Sequence, residues 1–476
     1  MENITLVEAS AGLYEPGVFT RHSHLEPLAL EYLASVLKKE GYKTNILQQR
    51  EEPADKFLKK ILGTKPNLVA FSTFTYSFPY SKNLAGMIKG TNNKIYTVFG
   101  GVHVSSYPQS IDDKAIDFIV LGEGEHTLLD LVKTLDNGGR LENVNGIAYW
   151  DDGIKITEPR KRIENLDELP FPLRPKTILE KTRINTLMYP TKSEQKGVAS
   201  IAYSRGCSYG CSFCASKNIW GKTVNWRSVK SIVDEIEELQ RQFRTNTIFF
   251  TDLTFNLDKG KVLELCDELT KQKISVSWDA MLRATSPDGS LLVDKGLLEA
   301  MKKAKCAKVS YGLESLISEI QEVYNKKGEI NALKQILELG NSIGLINKGY
   351  LIIGEPKLET KETLDYTKEI LKELSLDELR ISFLTPFPNT STYFECEQEK
   401  RIITKNWAKY TSDEPILELD HLNKEELIEA RKEIFREFYQ NSSYEKRMKS
   451  KIKRFPHLKK SYDEHLQFLE QKEVLE

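Results

Sequence analysis

The chain has 476 residues, 40% of them hydrophobic and 29% charged, which excludes a mostly disordered or collagen-like protein. Its 68 Lys and Arg residues nearly balance 69 Asp and Glu residues, so net charge gives no reason to expect binding to nucleic acid or an anionic membrane. No apolar stretch reaches the roughly 18 residues of a membrane span, and residues 1–10 lack a secretory-signal pattern. We therefore expect a cytoplasmic protein.

The N-terminal third alternates predicted strands with predicted helices. Helices are predicted at 26–39 and 126–135, and strands at 3–9, 43–47, 68–74, 94–99 and 117–121. Such alternation is typical of βαβ units in a doubly wound parallel sheet. Ligands bind to these sheets beyond the carboxyl ends of the strands. Two glycine-rich strand ends, near residues 100 and 122, lie there.

A predicted hairpin over 145–157 and a proline-rich segment over 169–175 follow this alternation. Proline cannot continue a helix or a central strand, so the segment is typical of a linker. We predict a first domain over residues 1–140 and a linker over residues 141–195.

A second alternation follows the linker. Helices are predicted at 229–243 and 259–271, and strands at 199–203, 247–251, 274–278, 308–312, 349–353 and 378–384. Six βα units indicate an incomplete barrel over residues 196–395, with its chemistry at the carboxyl ends of the strands. Residues 396–476 are predicted to be a helical extension whose charges, including the basic stretch 446–454, face solvent.

Three of the six cysteines, Cys207, Cys211 and Cys214, fall within eight residues directly after the strand predicted at 199–203. Thiolates suit zinc or iron–sulfur sites. Three on one loop can hold three corners of a cubane cluster, leaving one iron for a small molecule. Zinc and incidental thiols remain alternatives, although neither a second CxxC pair nor a nearby His supports zinc.

The other three cysteines are isolated in the sequence. Free cysteines behave as small hydrophobic side chains, so we expect these three to be buried: Cys266, Cys306 and Cys396.

The CxxxCxxC motif, with an aromatic residue before its third cysteine, resembles the signature of radical S-adenosylmethionine (radical SAM) enzymes. Residues 249–255, 312–315, 349–356 and 384–390 resemble later strand motifs of that family, in the same order. The segments 100–105 and 122–125 resemble the cobalamin-binding domain of cobalamin-dependent radical SAM enzymes. That group includes class B methyltransferases and the anaerobic magnesium-protoporphyrin ester cyclase.

The resemblance implies an α/β fold with a doubly wound, Rossmann-like cobalamin-binding domain, a partial (β/α)6 radical SAM barrel and a helical C-terminal tail. It implies that the three clustered cysteines ligate three irons of a [4Fe-4S] cluster. The fourth iron would take S-adenosylmethionine, and reduction would release a 5′-deoxyadenosyl radical. The protein's part in such chemistry is to position and shield the cofactors.

The resemblance also implies particular cofactor contacts. Residues implied to contact S-adenosylmethionine are Phe213, Thr251, Asp252, Arg283, Glu314, Ser315, Ile352 and Gly354. For Arg283, a surface position is an equally good interpretation. Residues implied to line a cobalamin cleft are Ser72, Thr73, Thr75, Gly100, Gly101, Gly122 and Gly124.

One departure concerns the lower ligand of cobalt. The DxHxxG motif that supplies a histidine ligand is absent, and His103 lacks that context. We expect His103 to be a loop histidine, with a cobalt ligand as the alternative. We expect His22 and His24 to be polar loop residues, with a place facing the shared active site as the alternative. Many family members hold cobalamin without such a histidine, but a degenerate domain that binds nothing stays open.

The main hypothesis is a cobalamin-dependent radical SAM enzyme that methylates an unactivated carbon. A radical cyclisation, rearrangement or oxidation without methyl transfer is the alternative, and a non-catalytic iron–sulfur or corrinoid sensor is an alternative of another class. The implied partners are an unknown substrate and a reducing donor such as flavodoxin or ferredoxin. The sequence does not identify the substrate or the role of the C-terminal tail.

Overall fold

The computed structural model describes residues 2–9, 25–50, 52–184, 187–328 and 330–470. His22 and His24 lie outside the described residues. None of the described helices is long and apolar enough to cross a bilayer.

The first sheet has seven strands: β1 (Asn3–Glu8), β2 (Lys43–Gln48), β3 (Leu68–Ser72), β4 (Tyr96–Gly100), β5 (Phe118–Val120), β6 (Ile147–Trp150) and β7 (Ile154–Ile156). Their order is β2-β1-β3-β4-β5-β6-β7, with the first five strands parallel and β6 and β7 antiparallel. The helices of this part are α1 (Leu28–Lys39), α2 (Ala54–Gly63), α3 (Phe78–Thr91), α4 (Val102–Ser106) and α5 (Gly124–Asn137). The predicted doubly wound domain is confirmed.

The sheet is apolar on both faces because helices cover both. Along β3, Leu68 and Ala70 belong to one core, while Val69 and Phe71 belong to the core on the opposite face. This alternation is the two-residue period of a strand buried on both sides. The hairpin β6–β7 joins the edge of the same sheet, so the sheet continues past residue 140, where we predicted the linker to begin.

The second sheet has six parallel strands: β8 (Ala199–Ile201), β11 (Thr247–Phe250), β12 (Ser277–Leu282), β13 (Cys306–Glu314), β14 (Ile346–Ile353) and β15 (Glu378–Phe383). The order β15-β14-β13-β12-β11-β8 follows the chain, as expected for the predicted partial barrel. A short antiparallel pair, β9 (Ser204–Arg205) and β10 (Asn225–Trp226), brackets the cysteine loop. The strand predicted at 274–278 begins later, at Ser277, because a turn at Gln272–Lys273 follows the preceding helix.

Helices connect these strands and cover the barrel. They are α6 (Lys176–Leu179), α7 (Lys217–Trp220), α8 (Val229–Phe243), α9 (Lys259–Lys271), α10 (Lys295–Lys303), α11 (Ser318–Val323), α12 (Ile330–Ser342), α13 (Lys361–Glu373) and α14 (Ser391–Gln398). Short 3-10 helices lie at Pro108–Ile111, Leu141–Asn143, Leu166–Glu168, Trp407–Lys409 and Pro456–Leu458. Ser228 and Asp258 cap α8 and α9 by accepting backbone N–H groups, which fixes where these helices begin.

The C-terminal helices α15 (Lys424–Gln440), α16 (Ser442–Arg454) and α17 (Lys459–Glu470) pack onto the barrel. Phe438, Tyr444 and Met448 are buried in the same apolar core as the barrel strands. The expectation that the charges of this tail face solvent is wrong for Lys451, which is fully buried and paired with Asp377. A buried cation needs such a partner because desolvation of an unpaired charge is costly.

Candidate active site between the two domains

A cavity of about 570 Å³ lies between the first sheet and the barrel. Its walls include the carboxyl ends of β3, β4 and β5 on one side and the ends of β8 and β11 on the other. Six of the predicted cobalamin-cleft residues line it: Ser72, Thr73, Gly100, Gly101, Gly122 and Gly124. Thr75 is buried outside this lining. The barrel contributes Ser204, Arg205, Gly206, Thr251 and Leu253.

Two glycines on this side of the cavity, Gly101 and Gly122, have backbone conformations that other residues rarely adopt. Gly101 has a φ of +99°, and a Cβ there would lie 2.6 Å from the carbonyl oxygen of Thr73. Gly122 also has a positive φ, +72°, and its N–H donates to Ser105 Oγ at 3.0 Å. Only glycine adopts such backbone without strain. The result is a floor of bare backbone, which fits a broad, flat ligand such as a corrin ring.

His103 does not face this floor. It lies in α4 and is fully buried, with its ring centroid 4.3 Å from that of Phe78 and 5.4 Å from that of Trp407. Burial lowers its pKa to about 3, so the imidazole is neutral. The expectation of a loop histidine is therefore wrong, because its apolar neighbours make it part of the core.

The cysteine loop runs from β9 to α7, and Cys207, Cys211 and Cys214 are half-buried in it. Gly206 begins the loop with a φ of +112°, and a Cβ there would lie 2.1 Å from the carbonyl oxygen of Thr223. Farther along, the Ser212 N–H donates to the Tyr324 carbonyl at 3.0 Å. The Asn325 side chain donates to the Gly210 carbonyl at 3.0 Å. The loop is thus anchored to the segment that follows β13.

The donor set of this loop fits an iron–sulfur cubane. Among the residues that the structure describes, no three His, Cys, Asp or Glu side chains are grouped as ligands of one metal ion. A cubane is held differently, since each thiolate binds a different iron.

The remaining cysteines, Cys266, Cys306 and Cys396, are buried, as predicted. Burial raises the pKa of both Cys266 and Cys396 to about 12, so these two thiols stay protonated.

Thr251 and Asp252 follow β11 and differ in what they face. Thr251 lines the cavity. The Asp252 carboxylate is buried and accepts hydrogen bonds from the N–H of Tyr203 at 3.0 Å and from the N–H of Ser204 at 2.6 Å. It also accepts from the Ser204 hydroxyl at 2.5 Å. Burial raises its pKa to about 6 despite these bonds. Asp252 therefore holds the backbone that leads into the cysteine loop.

Arg283 is buried, so the alternative of a surface arginine is wrong. Its guanidinium lies 3.8 Å from the ring centroid of Tyr209, which stands between the first two cysteines, and its Nε donates to the Thr285 carbonyl at 2.8 Å. Glu314, at a φ of +57°, accepts from Lys326 Nζ at 2.9 Å.

Ser315 lies directly after Glu314 and is buried. Its hydroxyl accepts from the Ile317 N–H at 3.1 Å, a local turn contact.

Phe213 and Ile352 pack against one small apolar cluster at this end of the barrel, where the rings of Phe213 and Tyr324 meet edge-on at 5.2 Å. Gly354 has a φ of +91°, and a Cβ there would lie 2.9 Å from Leu427 of α15. Its N–H donates to Glu359 Oε2 at 2.9 Å. The need for glycine at 354 thus comes from backbone conformation and the close C-terminal helix.

Two sets of site residues had no assigned role in the sequence analysis. Glu8, at the end of β1, lines the cavity and accepts from Gln48 Nε2 at 2.8 Å; burial raises its pKa. Glu123 and Glu125 belong to the glycine-containing segment 122–125, and their carboxylates bind Arg205 of the barrel. The two acidic residues beside these glycines were the feature of the sequence that could have indicated a charged contact here.

Residues 15–132 match the family model described as the B12 binding domain, and residues 201–374 match that of the Radical SAM superfamily. An uncharacterized methyltransferase of Pyrococcus horikoshii is 28% identical over 417 residues, which cover 87% of this chain and 87% of that protein. The anaerobic magnesium-protoporphyrin IX monomethyl ester cyclase of Rubrivivax gelatinosus is 29% identical over 428 residues, which cover 88% of this chain and 74% of that protein.

Among solved structures, the cobalamin-dependent S-adenosylmethionine radical enzyme OxsB, with aqua-cobalamin and S-adenosylmethionine bound, matches with a TM-score of 0.72. The match covers 97% of this chain and 72% of that chain at 17% identity, so it shows a shared fold.

The chain belongs to the cobalamin-dependent radical SAM enzymes, which join a B12-binding domain to a radical SAM domain. Its cofactors are a [4Fe-4S] cluster, S-adenosylmethionine and cobalamin. The resemblance given by the sequence motifs is thereby confirmed, and so is the predicted fold class.

Proposed function

We propose that this enzyme transfers a methyl group to an unactivated carbon of its substrate. The observation that carries the proposal is that the two domains share one cavity. The glycine floor of the first domain lines one side of it, and the strand ends beside the cysteine loop line the other. A methyl donor on one wall and a hydrogen-abstracting group on the other would then reach the same substrate carbon. The relative from Pyrococcus horikoshii, itself named a methyltransferase, supports this assignment.

When bound, cobalamin and S-adenosylmethionine would supply the methyl group and the radical chemistry. The chain's own residues bind and orient them. Cys207, Cys211 and Cys214 would hold three irons, and Gly101 would let the corrin approach the backbone closely. The apolar cluster around Phe213 would exclude water from the nucleoside side of the site.

The predicted S-adenosylmethionine contacts carry unequal support from the geometry. Thr251 faces the cavity, and Phe213 and Ile352 share an apolar cluster close to the loop. By contrast, Asp252 and Arg283 are engaged with the chain around the cysteines. We therefore propose Thr251, Phe213 and Ile352 as contacts, and Asp252 and Arg283 as residues that position the loop.

The second candidate is a radical cyclisation or oxidation without methyl transfer. It is favoured by the relative from Rubrivivax gelatinosus, which is an ester cyclase. Either reaction needs one electron at a time from a reducing partner, for which we propose a flavodoxin or ferredoxin.

The test is anaerobic reconstitution with iron, sulfide and hydroxocobalamin, followed by dithionite and S-adenosylmethionine. Methyl transfer predicts both S-adenosylhomocysteine and 5′-deoxyadenosine among the products. Formation of 5′-deoxyadenosine alone would favour the second candidate. Bound cluster and corrinoid with neither product would indicate a sensor and overturn both.

Two variants separate the cofactor sites. Cys207→Ala/Cys211→Ala/Cys214→Ala should lose iron and 5′-deoxyadenosine while retaining the corrinoid. Gly101→Ala should lose the corrinoid, because its Cβ would collide with Thr73, and retain the iron. Gly90→Ala, a helical glycine with open space around its Cβ position, is the matched control and should behave as the wild type.

A further inference from the structure

The cysteine loop is attached to the first domain at its beginning. Arg205, two residues before Cys207, is buried and donates from Nη1 to Glu123 Oε1 at 3.0 Å and from Nη2 to Glu125 Oε1 at 2.7 Å. Both carboxylates lie at the start of α5, directly after β5. The guanidinium group of Arg205 thus binds two carboxylates of a single helical turn. This arrangement fixes the orientation of the Arg205 side chain as well as its distance from α5.

A linker arginine reinforces this contact. Arg162 Nη2 donates to the Arg205 carbonyl at 3.1 Å, and its Nη1 donates to the Trp220 carbonyl at 2.7 Å. Its Nε lies 3.4 Å from Glu123 Oε2, which also accepts the Ile163 N–H at 2.9 Å. The side chain of Arg162 therefore joins both ends of the cysteine loop to the carboxylate that holds Arg205.

The loop is attached again just past its last cysteine. Asn218, in α7, donates from Nδ2 to Ser106 Oγ of the first domain at 2.8 Å and to the Pro388 carbonyl of the barrel at 3.2 Å. Ser106 ends α4, the short helix that follows the glycine floor. The two attachments flank all three cysteines, and both reach elements beside the predicted corrin site.

Stability alone accounts poorly for this arrangement. A buried ion pair adds little net stability compared with apolar packing, because desolvation offsets most of the attraction. In some proteins, buried polar or ionic groups fix one geometry among several.

We propose that Glu123 and Glu125 are positioning residues for the iron–sulfur cluster, acting on the cysteine loop through Arg205. The first domain thus has a second role besides holding the corrin: it sets the position of the cluster relative to S-adenosylmethionine. This inference rests on the proposed radical chemistry, and it assigns these two acids to the cluster although they belong to the domain that binds the other cofactor.

The test compares Glu125→Gln with Asp130→Asn. Both residues lie on α5 and each pairs with an arginine, but Asp130 pairs with Arg160, away from the loop. After reconstitution, Glu125→Gln should keep the wild-type content of iron and cobalt. We expect its rate of 5′-deoxyadenosine formation to fall at least tenfold. We also expect the electron paramagnetic resonance signal of its reduced cluster, recorded with S-adenosylmethionine, to differ from the wild-type signal. Asp130→Asn should match the wild type in both measurements.

A double variant distinguishes positioning through Arg205 from independent effects of Arg205 and Glu125 on the rate. Arg205→Lys keeps the charge and loses the fork, so it should lower the same rate. The double variant Arg205→Lys/Glu125→Gln should be no slower than the slower single variant, because both changes break one contact. Losses that multiply would overturn the proposal, as would a wild-type rate and signal in Glu125→Gln.

Two further measurements keep the inference testable. If Glu125→Gln binds no iron, Glu123→Gln takes its place on the same arginine and should show the same loss of rate. If the wild type forms no 5′-deoxyadenosine, the proposed function fails, and amide hydrogen exchange of residues 204–220 decides this inference separately. Those amides should exchange faster in Glu125→Gln than in the wild type or Asp130→Asn, and equal exchange would contradict the inference.

Discussion

Three polar side chains of the barrel hold the cysteine loop and the strand end that leads into it. Asp252 accepts hydrogen bonds from the strand end before the loop, Arg283 covers Tyr209 within it, and Asn325 binds the Gly210 carbonyl. A loop built this way has few ways to rearrange, which suits a site where small displacements of the reacting atoms reduce the rate strongly.

His103 gives a prediction at this scale. Its pKa is lowered to about 3 by burial, whereas an exposed histidine titrates near pH 6.5. As pH falls from 7.5 to 5, the unfolded chain gains a proton that the folded chain does not, so folding loses about 2 kcal/mol from this residue alone. In His103→Phe this loss should disappear. The thermal midpoint should therefore fall less between pH 7.5 and pH 5 in the variant than in the wild type.

The fall in the thermal midpoint between the two pH values is measured within each protein. A change in stability caused by the different volume of phenylalanine is present at both pH values and therefore cancels. An identical fall in both proteins would show that His103 is protonated in the folded state.

At the scale of an element, α16 places an ion pair in the barrel core. Lys451 donates to Asp377 and to the Leu345 carbonyl, so it joins the starts of β14 and β15. Lys451→Ala should cost about 3–5 kcal/mol because it leaves a buried carboxylate without its cation. Lys449→Ala, on the same helix but in an exposed pair with Glu445, is the control and should leave stability unchanged. Thermal melting compares the two variants, and equal midpoints would contradict the buried pair.

Elements with strong local signals were predictable. The bounds of α8 and α9 agree with the sequence prediction because Ser228 and Asp258 are ordinary helix caps with apolar periodicity behind them. The C-terminal helices were placed correctly as helices, but their burial was not predicted. A stretch as basic as residues 446–454 gives no local sign that one of its lysines lies in a core.

The candidate site also contains residues that local sequence motifs predict and residues whose roles depend on distant contacts. The cysteines and the glycine floor follow from short motifs, since each motif is read within a few residues. The contact between Arg205 and Glu123 joins residues 82 positions apart, and no local pattern reports a partner at that distance. Asp252 was placed at the right strand end, yet the direction of its carboxylate depends on how β8 and β11 pair.

At the scale of the whole molecule, one arginine joins three parts of the chain. Arg174, in the linker, binds Glu26 beside α1 and Glu235 of α8, and lies 3.6 Å from Glu31. All four side chains are almost completely buried, and burial raises the pKa of Glu31. The two domains therefore meet around a charged centre.

Removal of this cation should loosen the docking of the domains. Arg174→Leu leaves carboxylates from both domains facing one another, so we expect a melting midpoint several degrees lower and faster proteolysis within residues 175–196. Lys176→Ala, two residues away in an exposed pair with Glu180, should change neither. Unchanged proteolysis in Arg174→Leu would show that the remaining contacts between the domains hold them together without Arg174.

The attachment of Arg205 to Glu123 and Glu125 bears on how the protein is made. During synthesis the N-terminal domain leaves the ribosome first and can fold as a unit. The acids are then in place some 80 residues before their arginine is added. The cysteines emerge directly after Arg205, onto a surface that already exists. We therefore expect a barrel expressed without the first domain to take up less iron than the full chain, even with every cysteine intact.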